Sequence, residues 1–220
     1  MGMIIGIDDA GRGPVIGPMV LAGVLMDKKD EGILKNWGAR DSKLLTPKKR
    51  KEIKEKVKRQ FVSFVLVSSP LEIDESSNLN HLEAIKTAMI INELVKDLDE
   101  VVDVFVDCPS VNIKSWSEDV QELVKEPSKV NLSCEHKADL NHLVVSAASI
   151  LAKERREDEI NVLKKMLDVD FGSGYPSDSK TVSFIKENFD NLVYKEIIRH
   201  SWNTVKRLVK AKKSGQKKLF

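Results

Sequence analysis

The chain has 220 residues and a formal net charge of +2, and 41% of its residues are hydrophobic and 32% are charged. This length suits one large domain or a domain with an appendage. No apolar run approaches the roughly 20 residues that cross a bilayer, which argues against a membrane protein. The N-terminus has no basic stretch followed by an apolar one, so we expect a cytoplasmic protein that is not secreted. Cys108 and Cys134 lack the spacing of a metal site and predict reduced thiols.

Charge is unevenly distributed along the chain. Residues 43–60 hold nine Lys/Arg against two Glu, and residues 195–220 hold nine Lys/Arg against one Glu. These segments contribute +7 and +8, which leaves −13 for the rest of the chain. Two basic segments beside an acidic body are typical of proteins that bind a polyanion such as nucleic acid. A solvated, lysine-rich helix face gives the same pattern.

The elements alternate in a way that indicates the fold class. Apolar and β-branched runs predict strands at 3–8, 19–26, 61–68, 102–107 and 130–133. Helical signals predict a basic helix from Pro47 to about Arg59 with Thr46 as its cap, and a long helix capped by Asn80. Further helices are predicted at 115–124, from 141 onward, at 180–189 and at 201–213. Successive strands followed by alternating strands and helices predict a mixed α/β sheet with functional residues at its strand ends.

Acidic residues recur where predicted strands end. Asp8 and Asp9 close the first strand, and Asp107 closes the fourth. If these strands are parallel neighbours, Asp8 and Asp107 emerge side by side, and Asp139, just before the long helix, completes a cluster of four carboxylates. Such a cluster is costly without a cation, and Mg²⁺ prefers oxygen ligands. A single Asp at a strand end is more often a turn or cap residue, so the prediction of a metal site rests on the recurrence.

The first acidic pair leads directly into Gly11-Arg12-Gly13. Glycines let a backbone approach a ligand closely, and the guanidinium of Arg12 can pair with a phosphate. The alternative is a tight turn with an exposed arginine. Other motifs are excluded, because the glycine spacing does not fit a dinucleotide site, the four histidines lack zinc spacing and no serine lies in a nucleophile elbow.

Six motifs in order resemble the ribonuclease HII family in its archaeal-type form. They cover nearly the whole chain and read GIDDAGRGPVIGP, RDSKLLTPKKR, VFVDC, EHKAD, VVSAASILAK and GSGYPSD. The resemblance implies a ribonuclease H-like fold, which is a five-stranded mixed sheet flanked by helices, with a helical C-terminal extension. We accordingly expect a catalytic core over residues 1–176 and a basic helical extension over residues 177–220.

The resemblance also implies an activity. The expected protein is a metal-dependent endoribonuclease, a type 2 ribonuclease H, that cleaves the RNA strand of RNA–DNA hybrids. It is expected to cut 5′ of ribonucleotides embedded in duplex DNA, as in ribonucleotide excision repair, leaving a 3′-hydroxyl and a 5′-phosphate. Two ions of Mg²⁺ or Mn²⁺ in the active complex would support the hydrolysis. A monomer is expected.

Matched motif by motif, the resemblance implies roles for individual residues. The family's four catalytic, metal-binding acids correspond to Asp8, Asp9, Asp107 and Asp139. Its substrate-binding residues correspond to Gly11, Arg12, Gly13, Arg40, Lys43 and Tyr175. Within this set Gly11-Arg12-Gly13, the glycine loop, is expected to read the ribose 2′-hydroxyl. Tyr175 is expected to stack on the next deoxyribose, and Lys43 to contact a phosphate. Without the resemblance, Tyr175 would be interpreted as a loop aromatic beside Pro176, and Lys43 as a solvated lysine.

The chain departs from the family at one of the four acids. The family's second acid is normally glutamate, as in DEAGRG, whereas this chain has Asp9. Aspartate is one methylene shorter, and the tight geometry of Mg²⁺ tolerates such changes poorly. We therefore expect reduced activity in Mg²⁺ that Mn²⁺ partly rescues. The alternative function is a junction-binding protein with weak or no turnover.

The chain ends in GQKKLF, which resembles the peptide that binds the sliding clamp. Gln216 and Leu219 have the expected spacing, and Phe220 follows directly. A sliding clamp is therefore a candidate partner, and the alternative is a basic tail that happens to end in Leu-Phe.

Overall fold

A computed structural model describes residues 2–39, 45–76 and 78–216, the last five of these by their backbone only. Arg40, Lys43, Leu219 and Phe220 lie outside the described residues, as does the side chain of Gln216. The chain forms two compact units that interleave along the sequence. The sheet unit comprises Met1–Ala10, Val20–Val67 and Asn78–Arg155, and the helical unit comprises Gly11–Met19, Ser68–Ser77 and Arg156–Phe220. The division of function expected at residues 176 and 177 stays a prediction.

Within the described residues, five strands form one mixed sheet in the order β3-β2-β1-β4-β5. The strands are β1 (Met3–Ala10), β2 (Met19–Asp27), β3 (Val62–Ser68), β4 (Val102–Asp107) and β5 (Val130–Glu135). β1 pairs antiparallel with β2 and parallel with β4, and β4 pairs parallel with β5. The predicted mixed sheet is therefore confirmed, and the first and fourth strands are parallel neighbours.

Helices occupy most of the remaining chain. In the described residues they are α1 (Glu31–Trp37), α2 (Pro47–Gln60), α3 (Pro70–Glu75), α4 (Leu79–Val95), α5 (Ile113–Leu123), α6 (Ala138–Asn141), α7 (Leu143–Leu167), α8 (Ser179–Asn188) and α9 (Asn203–Gln216). Thr46 caps α2 as predicted, because its hydroxyl accepts a hydrogen bond from the Lys49 N–H at 3.3 Å. None of these helices is both long and apolar enough to cross a membrane.

Two helix starts differ from the prediction. The cap of α4 is Asn78 rather than Asn80, since the Asn78 side chain accepts a hydrogen bond from the Asn80 N–H at 2.9 Å. The long helix α7 begins at Leu143, and Asp139 lies before it in the separate turn α6. Lys137, at φ 59°, takes the left-handed conformation that starts this turn. The short helices α1 and α3 were not expected from the sequence.

Two glycines show how helices cover the two faces of the sheet. A Cβ on Gly6 would lie 2.3 Å from the Val144 carbonyl carbon, and a Cβ on Gly23 would lie 2.3 Å from Ile90 Cγ2. Gly6 on β1 pairs with Val24 on β2, so these two residues face the same side of the sheet. Gly23, the neighbour of Val24, faces the other side. Helix α7 therefore packs on one face and α4 on the other.

Each unit has its own buried core. In the sheet unit, α7 contributes a run of small buried residues, Ala147, Ala148 and Ala152, to a core shared with β1 and β2. Their small side chains allow the helix to pack closely against the sheet. The helical unit has a second core in which Phe171 and Phe184 pack at 5.8 Å between ring centroids.

Candidate active site

The acids that end β1 and β4 lie at the same edge of the sheet. Ile7 pairs with Val106, and the next residues along the two parallel strands are Asp8 and Asp107. Strand side chains alternate between faces, so these two carboxylates share the face covered by α7, and Asp9 projects toward the face covered by α4. The register therefore meets the condition that the sequence analysis left open, and it brings Asp8 and Asp107 together.

Asp8 is the acid of this group whose environment is described most fully. It is buried, at 6% exposure, and accepts a hydrogen bond from the Asp9 N–H at 2.7 Å. Burial, followed by the negative charge of Asp9 and then that of Asp107, raises the pKa of Asp8 from 3.8 to about 8. The Ser149 hydroxyl donates a hydrogen bond to Asp8, which opposes this rise. A cation bound beside Asp8 would stabilise the charged carboxylate, which burial and the neighbouring negative charges disfavour.

A small cavity of about 10 Å³ adjoins these acids, roughly the least volume that holds one water molecule. Its polar lining is Asp8, Asp9, Glu83, Thr87 and Asp107. Glu83 and Thr87 come from successive turns of α4, and each is only 1% exposed. The cavity thus adds a fourth carboxyl group, Glu83, that the sequence analysis did not single out.

Asp139 is connected to this group through the backbone. It lies in the first turn of α6 and is 7% exposed. The N–H of its neighbour Ala138 donates to Asp107 Oδ1 at 3.3 Å. Asp139 is not among the residues that line the cavity. The structure therefore gathers three of the four predicted acids, with the fourth one residue from a direct contact.

The carboxylates lie close together, but they do not point at one common position. Among the residues that the structure describes, no three His, Cys, Asp or Glu side chains are arranged to hold a metal ion. The pleat of β1 gives a physical reason, since Asp8 and Asp9 leave the strand on opposite faces. The donor set nevertheless fits a hard divalent cation, because carboxylate oxygens are the ligands that such a cation prefers.

The glycine loop that follows β1 belongs to the helical unit. Gly11 has φ 86°, a conformation that favours glycine, and a Cβ there would lie 2.4 Å from Arg156 Cδ and 2.8 Å from the Pro18 carbonyl oxygen. Gly13 is exposed, and a Cβ on it would lie 3.9 Å from Tyr175 Cε1. The loop and Tyr175 are therefore neighbours within this unit, although 162 residues separate Gly13 from Tyr175.

Tyr175 sits on a loop that is held by hydrogen bonds. The Gly174 carbonyl accepts from the Val15 N–H at 2.8 Å, and the Gly174 N–H donates to Thr181 Oγ1 at 3.0 Å. Tyr175 itself is 40% exposed, and the Arg156 guanidinium lies over its ring at 5.2 Å. An exposed aromatic face on a fixed loop suits stacking against a sugar or a base.

Asp178 anchors the same loop. Its carboxylate accepts from the Ser173 N–H at 2.7 Å and from the Ser173 hydroxyl at 2.8 Å, and it caps α8 through the Lys180 N–H at 2.9 Å. These hydrogen bonds favour the charged form and lower the pKa of Asp178 to about 2. Part of the GSGYPSD motif therefore stabilises the loop that carries Tyr175.

Sequence reasoning missed three groups around these sites. Glu83 and Ser149 reach Asp8 and its cavity from two helices, and Arg199 binds the glycine loop. Glu83 lies between the apolar residues Leu82 and Ala84, and a charged residue flanked by apolar ones could have indicated a buried carboxyl group. Arg199 carried a similar signal, since it directly follows Ile197 and Ile198.

Structural comparison with solved proteins identifies the fold of this chain. The structure aligns with the ribonuclease H2 of Pyrococcus horikoshii OT3 at TM-score 0.83 and 35% identity, covering 96% of this chain and 99% of that one. It aligns with a PCNA:RNase HII complex from Archaeoglobus fulgidus at TM-score 0.80 and 36% identity, covering 91% and 95%. Bst-RNase HIII in complex with Mn²⁺ shares the fold at TM-score 0.80 and 18% identity, covering 97% and 71%. The fold is ribonuclease H-like.

Sequence comparison gives the family. The sequence model of ribonuclease HII matches residues 5–205. Ribonuclease HII of Methanosarcina acetivorans is 38% identical over 98% of this chain and 100% of its own length. The chain belongs to the ribonuclease HII family, and it is a metal-dependent endoribonuclease of type 2. The resemblance stated from six motifs is thereby confirmed.

Proposed function

We propose that this enzyme cuts the ribonucleotide-containing strand of RNA–DNA hybrids and of duplex DNA with single embedded ribonucleotides. The cut falls 5′ of the ribonucleotide and leaves a 3′-hydroxyl and a 5′-phosphate. The observation that carries the proposal is the pairing register, which places Asp8 and Asp107 side by side at the carboxyl edge of the sheet. Membership of the family supports the substrate class.

Asp8, Asp9, Asp107 and Asp139 are proposed to hold two divalent ions, either Mg²⁺ or Mn²⁺. When bound, such ions would stabilise negative charge on a phosphate during in-line displacement and activate a water molecule. Burial, and after it the nearby negative charges, raise the pKa of Asp8, and this supports the proposal, because a bound cation would favour the charged carboxylate against both effects. Ser149 keeps the Asp8 carboxylate in place by its hydrogen bond. Glu83 adds a further carboxyl group to the cavity edge.

The helical unit is proposed to supply recognition. Backbone groups of Gly11, Arg12 and Gly13 would contact the ribose 2′-hydroxyl, and the exposed face of Tyr175 would stack on the following deoxyribose. The contact of Arg156 with the Tyr175 ring supports a fixed aromatic surface. Arg40 and Lys43 are proposed to contact phosphates, and they lie outside the described residues.

The test uses a DNA duplex with one ribonucleotide, labelled on that strand, and the same duplex without the ribonucleotide. The enzyme should cut only the first duplex, immediately 5′ of the ribonucleotide, in Mg²⁺ or Mn²⁺. Asp107→Asn should lower the cleavage rate at least about a hundredfold, comparable to the loss of a key electrostatic contact to the transition state. Asp103→Asn, at the other end of β4, is the matched control and should cut normally. Binding without cutting in either metal would instead support the junction-binding alternative.

We also propose that the C-terminal peptide binds the sliding clamp. The Archaeoglobus fulgidus relative is described in complex with PCNA. In this chain Gln216 ends α9, and Leu219 and Phe220 are the last hydrophobic residues. Co-elution with the clamp of the same source should be lost in Leu219→Ala/Phe220→Ala and kept in Lys217→Ala/Lys218→Ala. Equal binding by both double variants would contradict this role.

A further inference from the structure

Arg199 is a fully buried cation in the helical unit, with 0% exposure. Its three guanidinium nitrogens donate to three backbone carbonyls of one loop. Nε donates to the Gly17 oxygen at 2.9 Å, Nη1 to the Arg12 oxygen at 2.9 Å and Nη2 to the Gly11 oxygen at 2.6 Å. Burial of an arginine is costly unless such hydrogen bonds replace water, so this arrangement ties the cation to the glycine loop.

Backbone pairing holds Arg199 in register with that loop. The Gly17 N–H donates to the Ile197 carbonyl at 2.8 Å, and the Arg199 N–H donates to the Val15 carbonyl at 2.9 Å. The Trp202 ring lies under the guanidinium, 5.0 Å from it. The guanidinium therefore has little freedom to move away from the three carbonyls.

The hydrogen bonds also set the direction of the loop's N–H groups. The Gly11–Arg12 and Arg12–Gly13 peptide bonds are trans, and in a trans peptide the carbonyl and the N–H point in opposite directions. Because the carbonyls of Gly11 and Arg12 both point to one guanidinium, the N–H groups of Arg12 and Gly13 point away from it. Two backbone donors consequently face the same side of the loop.

We propose that Arg199 is a positioning residue for ribose recognition. It orients the N–H groups of Arg12 and Gly13 so that they can donate to the oxygen of the ribose 2′-hydroxyl. The inference rests on the proposed function of the glycine loop and adds to it the residue that sets the loop's geometry. Lysine cannot substitute, because the three carbonyls are met by a planar fork of three nitrogens.

The test is equilibrium binding without divalent metal, so that cleavage does not enter the readout. Fluorescence anisotropy compares a duplex that carries one ribonucleotide with the all-DNA duplex of the same sequence. The wild type should prefer the first duplex. Arg199→Lys should lower this preference at least fivefold and change affinity for the all-DNA duplex less than twofold.

Phe184→Leu is the matched control, because it weakens the core of the helical unit without touching the three hydrogen bonds. It should keep the wild-type preference at a temperature where both variants are folded by circular dichroism. If Arg199→Lys does not fold, Trp202→Leu decides, since it removes the ring under the guanidinium and should lower the preference about twofold or more.

The outcomes separate the two proposals. An unchanged preference in folded Arg199→Lys, or in Trp202→Leu when that variant decides, overturns the role of Arg199 alone. An equal loss in Phe184→Leu overturns it as well, because general loosening then explains the effect. A wild type that binds both duplexes equally overturns recognition by the loop, and the role of Arg199 with it.

Discussion

At the scale of single residues, the position of Asp9 on β1 makes the length of its side chain important for the active site. Asp8 and Asp107 share one face of the sheet, but the pleat directs Asp9 to the other. A side chain that leaves the far face must reach around the strand end to meet the other acids. Glutamate, the family's usual residue here, reaches farther than aspartate.

We therefore predict that Asp9→Glu raises kcat in Mg²⁺ about tenfold, which corresponds to ~1.4 kcal/mol of transition-state stabilisation. The gain in Mn²⁺ should be smaller, since Mg²⁺ demands the stricter coordination geometry. Initial rates on the ribonucleotide duplex in each metal measure both effects. Asp103→Glu lengthens an acid elsewhere on the sheet and should change neither rate. Equal Mg²⁺ rates for wild type and Asp9→Glu would contradict the argument.

At the scale of elements, the contact between β1 and α7 brings the active-site acid and its hydrogen-bond donor together. Gly6 lies two residues before Asp8 on the same face, and the backbone of Val144 and Val145 lies against it. Ser149, farther along the same helix, donates to Asp8. A side chain at position 6 would therefore disturb both the core and the site.

We predict that Gly6→Ala destabilises the protein by about 3 kcal/mol, the upper part of the usual range for overpacking, because backbone atoms rather than a flexible side chain meet the new Cβ. Thermal unfolding should show a melting temperature lower by roughly 6–12 °C, at 2–4 °C per kcal/mol for a chain of this size.

Gly32→Ala is the matched control for this glycine. A Cβ there meets nothing within 4 Å, and the residue lies in α1. It should be neutral or stabilising by up to about 1 kcal/mol, because alanine favours a helix over glycine. A melting temperature of Gly6→Ala equal to that of Gly32→Ala would show that α7 does not pack as described.

At the scale of the whole molecule, charge separates into basic segments and an acidic body. On α9 the exposed residues Lys206, Arg207 and Lys210 form one basic surface. On α2, Ile53 and Val57 are buried while most of the lysines stay at least partly exposed. Such surfaces bind phosphates without reading sequence, and they release counterions when they do.

We predict that the affinity for duplex DNA falls steeply with salt and that α9 contributes to the slope. Lys206→Ala/Lys210→Ala should reduce the slope of log K against log salt by about 2, close to one per lost phosphate contact. Titrations between 50 and 200 mM salt, roughly the range in which such slopes are measured, provide the test. Lys114→Ala/Lys125→Ala removes two exposed lysines from the sheet unit and should leave the slope unchanged. Equal slopes for all three proteins would assign binding to other residues.

The sequence determined the parts of this protein that local physical chemistry encodes. Apolar runs specified the five strands, because a buried strand needs them, and the threonine-proline pair specified the start of α2. The acids at strand ends were visible as the residues that a buried strand cannot hold in its interior. Their recurrence, together with the ordered motifs, also identified the family.

Only the tertiary structure decided which distant residues meet. The register of β1 against β4 brings Asp8 and Asp107 together, and no local pattern encodes a pairing across about one hundred residues. Glu83 and Ser149 reach Asp8 and its cavity because α4 and α7 pack on opposite faces of the sheet. Arg199 reads in sequence as one more basic residue near the C-terminus. Arg199 is buried against the carbonyls of Gly11, Arg12 and Gly17 because chain segments far apart in sequence share one core. A contact of that kind is settled by packing rather than by propensity.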